Sequence, residues 1–264
     1  GMQNCPQYAV AFYGALRAQA VVVPVNPMNR ADELGHYITD PGTKVAFVTA
    51  ELAGALSQAN ERLDPAQRLA HMVVTHYTDA LPPREAADLM PPAMADWLYG
   101  QHPLPTGAVS WHDVLKSQQA PLPYTGQPDD LAILPYTSGT TALPKGCMHT
   151  HRTLMPNTVN GEWSFASAAT TSLGVVPMFH ITGMMYGLHA ALWLGSTVVL
   201  LPRWDRELAA RLIAKYRVTL WTCIPTMVID LLASPNVANF DLSSLKFITG
   251  GGAAMPQAVG ERLQ

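Results

Sequence analysis

The pattern of apolar and polar positions changes period repeatedly along the chain. From Tyr8 to Ala18 apolar residues recur at helical spacing, and the β-branched run Val21 to Val25 then reads as a strand. A helix is predicted from Ala31 to Thr39, a strand from Val45 to Thr49, a helix from Glu51 and a strand around Met72 to Thr75. Further strands are predicted near Leu131 to Pro135, Ser172 to Val176, Thr197 to Leu201, Thr219 to Thr222 and Leu245 to Thr249, with helices in the gaps. Between Trp204 and Tyr216, residues Leu208, Leu212, Ile213 and Tyr216 share one helical face, while Arg206, Glu207, Arg211 and Lys215 lie mostly on the other. Such alternation implies βαβ units, and so an α/β fold of mixed, largely parallel sheets flanked by helices.

Two stretches depart from this rhythm. Leu81 to Gln127 carries Pro82, Pro83, Pro91, Pro92, Pro103, Pro105, Pro121 and Pro123, and reads as an extended connection with one short helix at His112 to Lys116. It suggests a first α/β lobe at 1–128, including this connection, and a second at 129–264. The other stretch, Trp163 to Pro202, has no Asp, Glu, Lys or Arg and is long enough to raise the question of a membrane span. Gly174, Pro177, His180, Gly183, His189, Gly195 and Ser196 break its apolar character, and Thr197, Val198 and Val199 form a β-branched cluster. A strand, helix and strand buried on both faces account for it better, so no transmembrane segment is expected.

With 264 residues, 48% hydrophobic and 13% charged, the chain has enough material for a sizeable core. A net charge of -3 with singly scattered lysines and arginines gives no basic stripe, which argues against nucleic acid as a partner. Cys5, Cys147 and Cys223 are odd in number and lack C-x-x-C spacing, which points away from a disulfide framework and toward a reducing, cytoplasmic setting. No basic segment followed by an apolar run marks a signal peptide at the N-terminus.

The strongest chemical signal is the loop from Leu134 to Gly146, which follows an apolar strand. It holds Thr137, Ser138, Thr140 and Thr141 with Gly139 and Lys145. Backbone N–H groups around Gly139 can converge on an anion, the hydroxyls add short donors, and Lys145 adds a mobile positive charge. It is not a Walker A loop: Pro144 precedes Lys145, and Gly146 stands where that motif needs Ser or Thr. A plain polar turn is the alternative, although turns seldom gather so many hydroxyls beside a Lys-Gly pair. Cys147, His149 and His151 alternate, so on a strand they would share a face at a spacing suited to zinc; such a site lacks a fourth ligand, and no metal site is expected. His180, in an apolar surround, reads by itself more as a hydrogen-bonded core residue than as a catalytic one. The glycines 250–252 read equally as a strand-to-helix turn chosen for its dihedrals and as a place where a ligand approaches the backbone.

Tyr136 to Gly146, with Thr137, Ser138, Gly139, Thr140, Thr141 and Lys145, resembles the signature loop of the adenylate-forming (AMP-binding) superfamily of acyl-CoA synthetases, luciferases and adenylation domains. Asn4-Cys-Pro, Phe12 to Arg17, Val23 to Pro27, Val176 to Gly183, Val218 to Thr226 and Thr249 to Ala253 agree in order and spacing. Pro177-Met-Phe-His180 and the surroundings of Trp193 and Pro225 look most like the fatty acyl-CoA synthetases. The resemblance implies ATP with Mg2+ and coenzyme A as the small molecules handled, together with a carboxylic acid. In its terms Thr137, Ser138, Gly139, Thr140, Thr141 and Lys145 bind the phosphates. His180, Trp221, Thr226, Gly250, Gly251, Gly252 and Ala253 line the acyl and adenylate pocket, His180 shaping the pocket rather than serving as a general base.

Two positions depart from the family pattern: Ala142 and Gln19 stand where glycine is usual. The family's segments for magnesium, ribose and the adenylation lysine, which follow the triple glycine, are not in the chain. The resemblance therefore implies an internal piece of the N-terminal domain without the C-terminal domain, inactive alone. A non-catalytic acyl- or nucleotide-binding module is the alternative, and a kinase-like phosphotransferase is weakened by the missing Walker loop. Strand edges exposed by such a cut would favour a homodimer.

Overall fold

The computed structural model describes the chain except residues 85–88, 138–142, 164–165 and 263–264 and the side chains of 161–163 and 258. Two compact units emerge, Gly1–Ala86 with Asp96–Met155 and Ala87–Ala95 with Pro156–Gln264.

In the first unit, α1 (Pro6–Arg17) starts on a proline, whose missing N–H is not needed there, and buries Gln7, Tyr8 and Phe12. It ends with a left-handed Gln19, φ +58°, flanked by Ala20 N–H to Ala15 O at 2.9 Å and Gln19 N–H to Leu16 O at 3.0 Å. This is the C-terminal motif that favours glycine, so the departure at Gln19 falls on a position that demands unusual backbone. The Gln19 amide bonds the Thr125 hydroxyl at 3.0 Å, and Arg17 donates to Leu122 O at 2.8 Å, so 122–125 are strapped to the helix end.

The expected strand at Val21 to Val25 forms no ladder. Only Val22 bridges, giving its N–H to Ala132 O and accepting from Leu134 N–H, both at 2.9 Å. Helix α2 (Ala31–Thr39) buries Leu34 and Ile38, and the Arg30 N–H donates to Glu33 Oε2 at 2.8 Å to cap it. Strands β1 (Val45–Thr49) and β2 (His71–Thr75), joined through α3 (Ala50–Glu61), pair in parallel from Val45 opposite His71 to Thr49 opposite Thr75. Leu34, Ile38, Val48, Leu52, Leu56 and Val74 form their shared core.

The proline-rich stretch is more structured than an extended connection. It contains α4 (Pro92–Leu98), β3 (Val109–Ser110) and α5 (Trp111–Lys116), and β3 adds to β2 as a third parallel strand. Pro92 opens α4, where a missing N–H disrupts nothing, and Trp97 packs on Tyr77 with ring centroids 4.9 Å apart. Strands β4 (Leu131–Ile133) and β5 (His149–Thr150) pair antiparallel, and α6 (His151–Trp163) follows. Through Val22 this pair groups with the first unit, although the sequence suggested a boundary ahead of it.

The second unit is a parallel sheet of β6 (Thr171–Gly174), β7 (Thr197–Leu200), β8 (Leu220–Cys223) and β9 (Phe247–Gly250), in the order β7-β6-β8-β9. The charge-free stretch becomes β6, then α7 (Ile181–Met184), a π-helical turn over Met185–His189, α8 (Ala190–Leu194) and β7. Among the described residues no helix is long and apolar enough to cross a membrane. Helix α9 (Arg206–Tyr216) buries Leu208, Leu212 and Ile213, capped by Asp205 accepting from Leu208 N–H at 2.8 Å. Tyr216, expected on that buried face, is exposed in the last turn. Helices α10 (Pro225–Leu232) and α11 (Gln257–Glu261) follow β8 and β9.

Candidate functional site

Each unit carries its own set of the candidate residues. In the first, β4 runs into the hydroxyl-rich loop, whose base is a narrow hairpin. Thr137 N–H donates to Lys145 O at 3.0 Å, Cys147 N–H to Pro135 O at 2.9 Å and Lys145 N–H to the Thr137 hydroxyl at 3.2 Å, while Tyr136 bridges Gly146. Thr137 and Lys145 are exposed. Ser138, Gly139, Thr140 and Thr141 lie outside the described residues, as does Ala142.

The hairpin base is gripped by α2. His36 Nε2 lies 2.7 Å from Pro144 O, and the Tyr136 hydroxyl donates to Asp40 Oδ2 at 2.5 Å. Tyr136 also meets Tyr37 and His36 edge-on, with centroids 4.9 and 5.6 Å apart. Desolvation, then the Asp40 carboxylate, push the Tyr136 phenol well above its ordinary pKa, so it acts here as a donor. Nothing in the sequence marked His36 or Asp40, because their partners lie about a hundred residues away.

In the second unit the chain steps from β6 outward to β7, then crosses back to β8 and β9 on the other side of β6. At such a reversal the connections leave the carboxyl ends of two neighbouring strands in opposite directions, the place where open α/β sheets generally bind ligands. His180 follows β6, Thr226 follows β8, and Gly250, Gly251, Gly252 and Ala253 close β9. All but Trp221 of the pocket residues read from the sequence therefore sit at one end of this sheet, and His180, Thr226 and the glycine turn are exposed. Trp221 pairs with Leu173 and Ile248 inside the sheet, is fully buried, and stacks on Trp204 at 5.6 Å between centroids.

His180 caps α7. Its Nδ1 accepts the Thr182 N–H at 3.3 Å, which leaves Nε2 to carry the proton of the neutral ring. Gly183 seats that helix on the preceding loop, since a Cβ there would lie 2.2 Å from Pro177 O and 2.4 Å from Val176 O. Farther along, His189 sits buried in the π-helical turn, and burial lowers its pKa to about 4, leaving the ring neutral. Burial raises the Cys223 thiol to about 11, so it is protonated and poorly suited to nucleophilic attack.

The three glycines differ. A Cβ on Gly250 would lie 2.5 Å from Cys223 O, so β8 itself requires glycine there. Gly252 has φ +85°, a left-handed backbone. Gly251 has neither reason: no atom lies within 4 Å of its Cβ position and its φ is ordinary. A dihedral need therefore falls on Gly252 and close packing on Gly250, while Gly251 is open on its Cβ side.

The alternating Cys147, His149 and His151 do not share a strand face, because only His149 is in β5 and His151 begins α6. Among the described residues no group of three His, Cys, Asp or Glu is placed to hold a metal ion.

A hydroxyl-rich loop after a strand in the first unit and a parallel sheet with a strand reversal in the second define an α/β protein. The chain belongs to the AMP-binding enzyme family, which it matches over residues 1–264. It is 30% identical over 270 residues to a long-chain-fatty-acid–CoA ligase of Bacillus subtilis, covering 100% of this chain and 47% of that protein. It is 30% identical over 261 residues to 4-coumarate–CoA ligase 3 of Oryza sativa, covering 96% of this chain and 41% of that one. Among solved structures, a long-chain-fatty-acid-CoA ligase of Archaeoglobus fulgidus superposes with a TM-score of 0.79 at 25% identity, covering 99% of this chain and 47% of the other. The chain thus spans about half the length of the curated relatives it matches.

Proposed function

We propose that the chain carries the phosphate-holding and acyl-contacting parts of an ATP-dependent acid–CoA ligase, with a fatty acid as the carboxylate substrate. The substrate class rests on the names of the relatives and on Pro177-Met-Phe-His180. The observation that carries the reading is the strand reversal at β6 and β8, which gathers His180, Thr226 and an open Gly251 at one sheet end.

In the first step a carboxylate oxygen forms a bond to the α-phosphorus of ATP, and the bond to the bridging oxygen breaks to release pyrophosphate. In the second, the sulfur of coenzyme A attacks the acyl carbon, the bond to the adenylate oxygen breaks, and AMP leaves as the thiol proton passes to solvent. The loop of Thr137, Ser138, Gly139, Thr140, Thr141 and Lys145 holds the β and γ phosphates by N–H, hydroxyl and ammonium donors. Catalysis is positioning and charge neutralisation, without a covalent protein nucleophile. Gly251 lets a flat ligand lie against bare backbone, and His180 and Thr226 shape the adjacent wall. Trp221 supports that wall from inside the sheet. Magnesium would accompany ATP, held mainly by the phosphates; among the described residues no group of three His, Cys, Asp or Glu is placed to hold it without the nucleotide.

Calorimetric titration tests the reading. The chain is expected to bind a non-hydrolysable acyl-adenylate analogue saturably, and Lys145→Ala to weaken ATP binding about tenfold, the scale of one charge-assisted hydrogen bond. Absence of binding by both ligands would overturn it.

A further inference from the structure

We propose that the C-terminal half of α2 and its capping residue Asp40 form a positioning element for the phosphate loop, with His36 and Asp40 holding the two arms of its base; this rests on the reading of that loop as phosphate-binding. His36 and Asp40 are four residues apart and so lie on one helical face, one turn from each other. Asp40 takes the Tyr136 hydroxyl on the arm that enters the loop, and His36 reaches Pro144 O on the arm that leaves it. A carbonyl oxygen can only accept, so His36 Nε2 carries the hydrogen and donates.

The grip lies directly beside the loop's one cation. Pro144 precedes Lys145, whose own N–H and C=O both bond Thr137 across the hairpin. Fixing Pro144 therefore fixes the peptide from which the lysine side chain departs. The support is stiff because the other face of α2 is locked into the core by Leu34 and Ile38, 1% and 3% exposed. A phosphate-binding loop gains from a base already set in place, since fixing that base only on binding would cost affinity.

Amide hydrogen exchange and calorimetry on the whole chain test the assignment. In His36→Ala the amides of Thr137 and Cys147 are expected to exchange at least tenfold faster, with amides of β1 and β2 unchanged. The dissociation constant for ATP is expected to rise about tenfold and that for AMP, which lacks the β and γ phosphates, to stay put. His36→Gln, which keeps a side-chain N–H, is expected to restore most of both. Asp40→Ala, at an exposed position, is expected to give a smaller effect of the same pattern and covers the case in which His36→Ala fails to fold. Unchanged exchange, or equal losses for ATP and AMP, would reduce the contact to ordinary packing and overturn the assignment. If the unmodified chain binds ATP while His36→Ala binds it equally, only the positioning role fails; if neither the unmodified chain nor Lys145→Ala binds ATP, the phosphate reading fails and takes the positioning role with it.

Discussion

The loop after β4 and the turn after β9 both leave the end of a strand, both contain glycine, and both read from the sequence as ligand-facing. They are held in place by opposite means. The first has its base tied by polar side chains, Asp40 on Tyr136, His36 on Pro144 and Thr137 on Lys145. The second is shaped by side chains that are missing, with Gly250 against the Cys223 carbonyl and Gly252 at φ +85°. A tied loop loses order in steps of about 1 kcal/mol as single hydrogen bonds are removed. A turn defined by missing atoms tolerates removal of neighbours but not addition of a methyl group. The loop preceding α7 belongs to the second kind, because Gly183 has backbone on the far side of its Cβ position.

That contrast is broken most forcefully at Gly183. A methyl group 2.2 Å from Pro177 O cannot be absorbed by a side-chain rotation, so Gly183→Ala is expected to cost at least about 3 kcal/mol in a urea titration. A loss below about 1 kcal/mol would mean that α7 is free to lift off the loop. Gly250→Ala comes next, at about 2 kcal/mol, since the contact with Cys223 O is 2.5 Å and β9 can shift a little. Its signature is local: faster amide exchange along β8 and β9, with β6 and β7 unaffected.

Much of the architecture was legible because buried parallel strands and amphipathic helices carry their period in the residues themselves. Helix α2 at Ala31–Thr39 and strand β1 at Val45–Thr49 fall where periodicity put them. Val21 to Val25 misled because β-branched composition signals extended backbone without saying whether a partner strand lies alongside, and only Val22 finds one. Helix α4 was hidden by its prolines, which at a helix start are compatible with the fold they seem to forbid. At the candidate site, Thr137 and Lys145 stand out locally as a hydroxyl and a cation in one loop, whereas the contacts of His36 with Pro144 and of Asp40 with Tyr136 could not be read, since nothing local records a contact across a hundred residues. Trp221 shows what a motif position leaves unsaid: read as a pocket residue, it lies fully buried within the sheet. Gln19 takes a left-handed backbone, φ +58°, at a helix end that favours glycine, and its amide bonds the Thr125 hydroxyl at 3.0 Å.

The smallest effect separates shape from ligand within the glycine turn. Gly252→Ala is expected to cost about 1 kcal/mol, because φ +85° disfavours any residue with a Cβ even though the space around it is open. Gly251→Ala is expected to change stability by less than about 0.5 kcal/mol, and toward greater stability, because its φ is ordinary and alanine restricts the unfolded chain. The same Gly251→Ala substitution is expected to weaken the acyl-adenylate analogue at least tenfold, because its methyl group would occupy the space a flat ligand needs. Equal binding by Gly251→Ala and the unmodified chain would leave the turn as backbone geometry alone, whereas a protein equally stable yet unable to bind would mean that this glycine serves the ligand and its neighbours serve the fold.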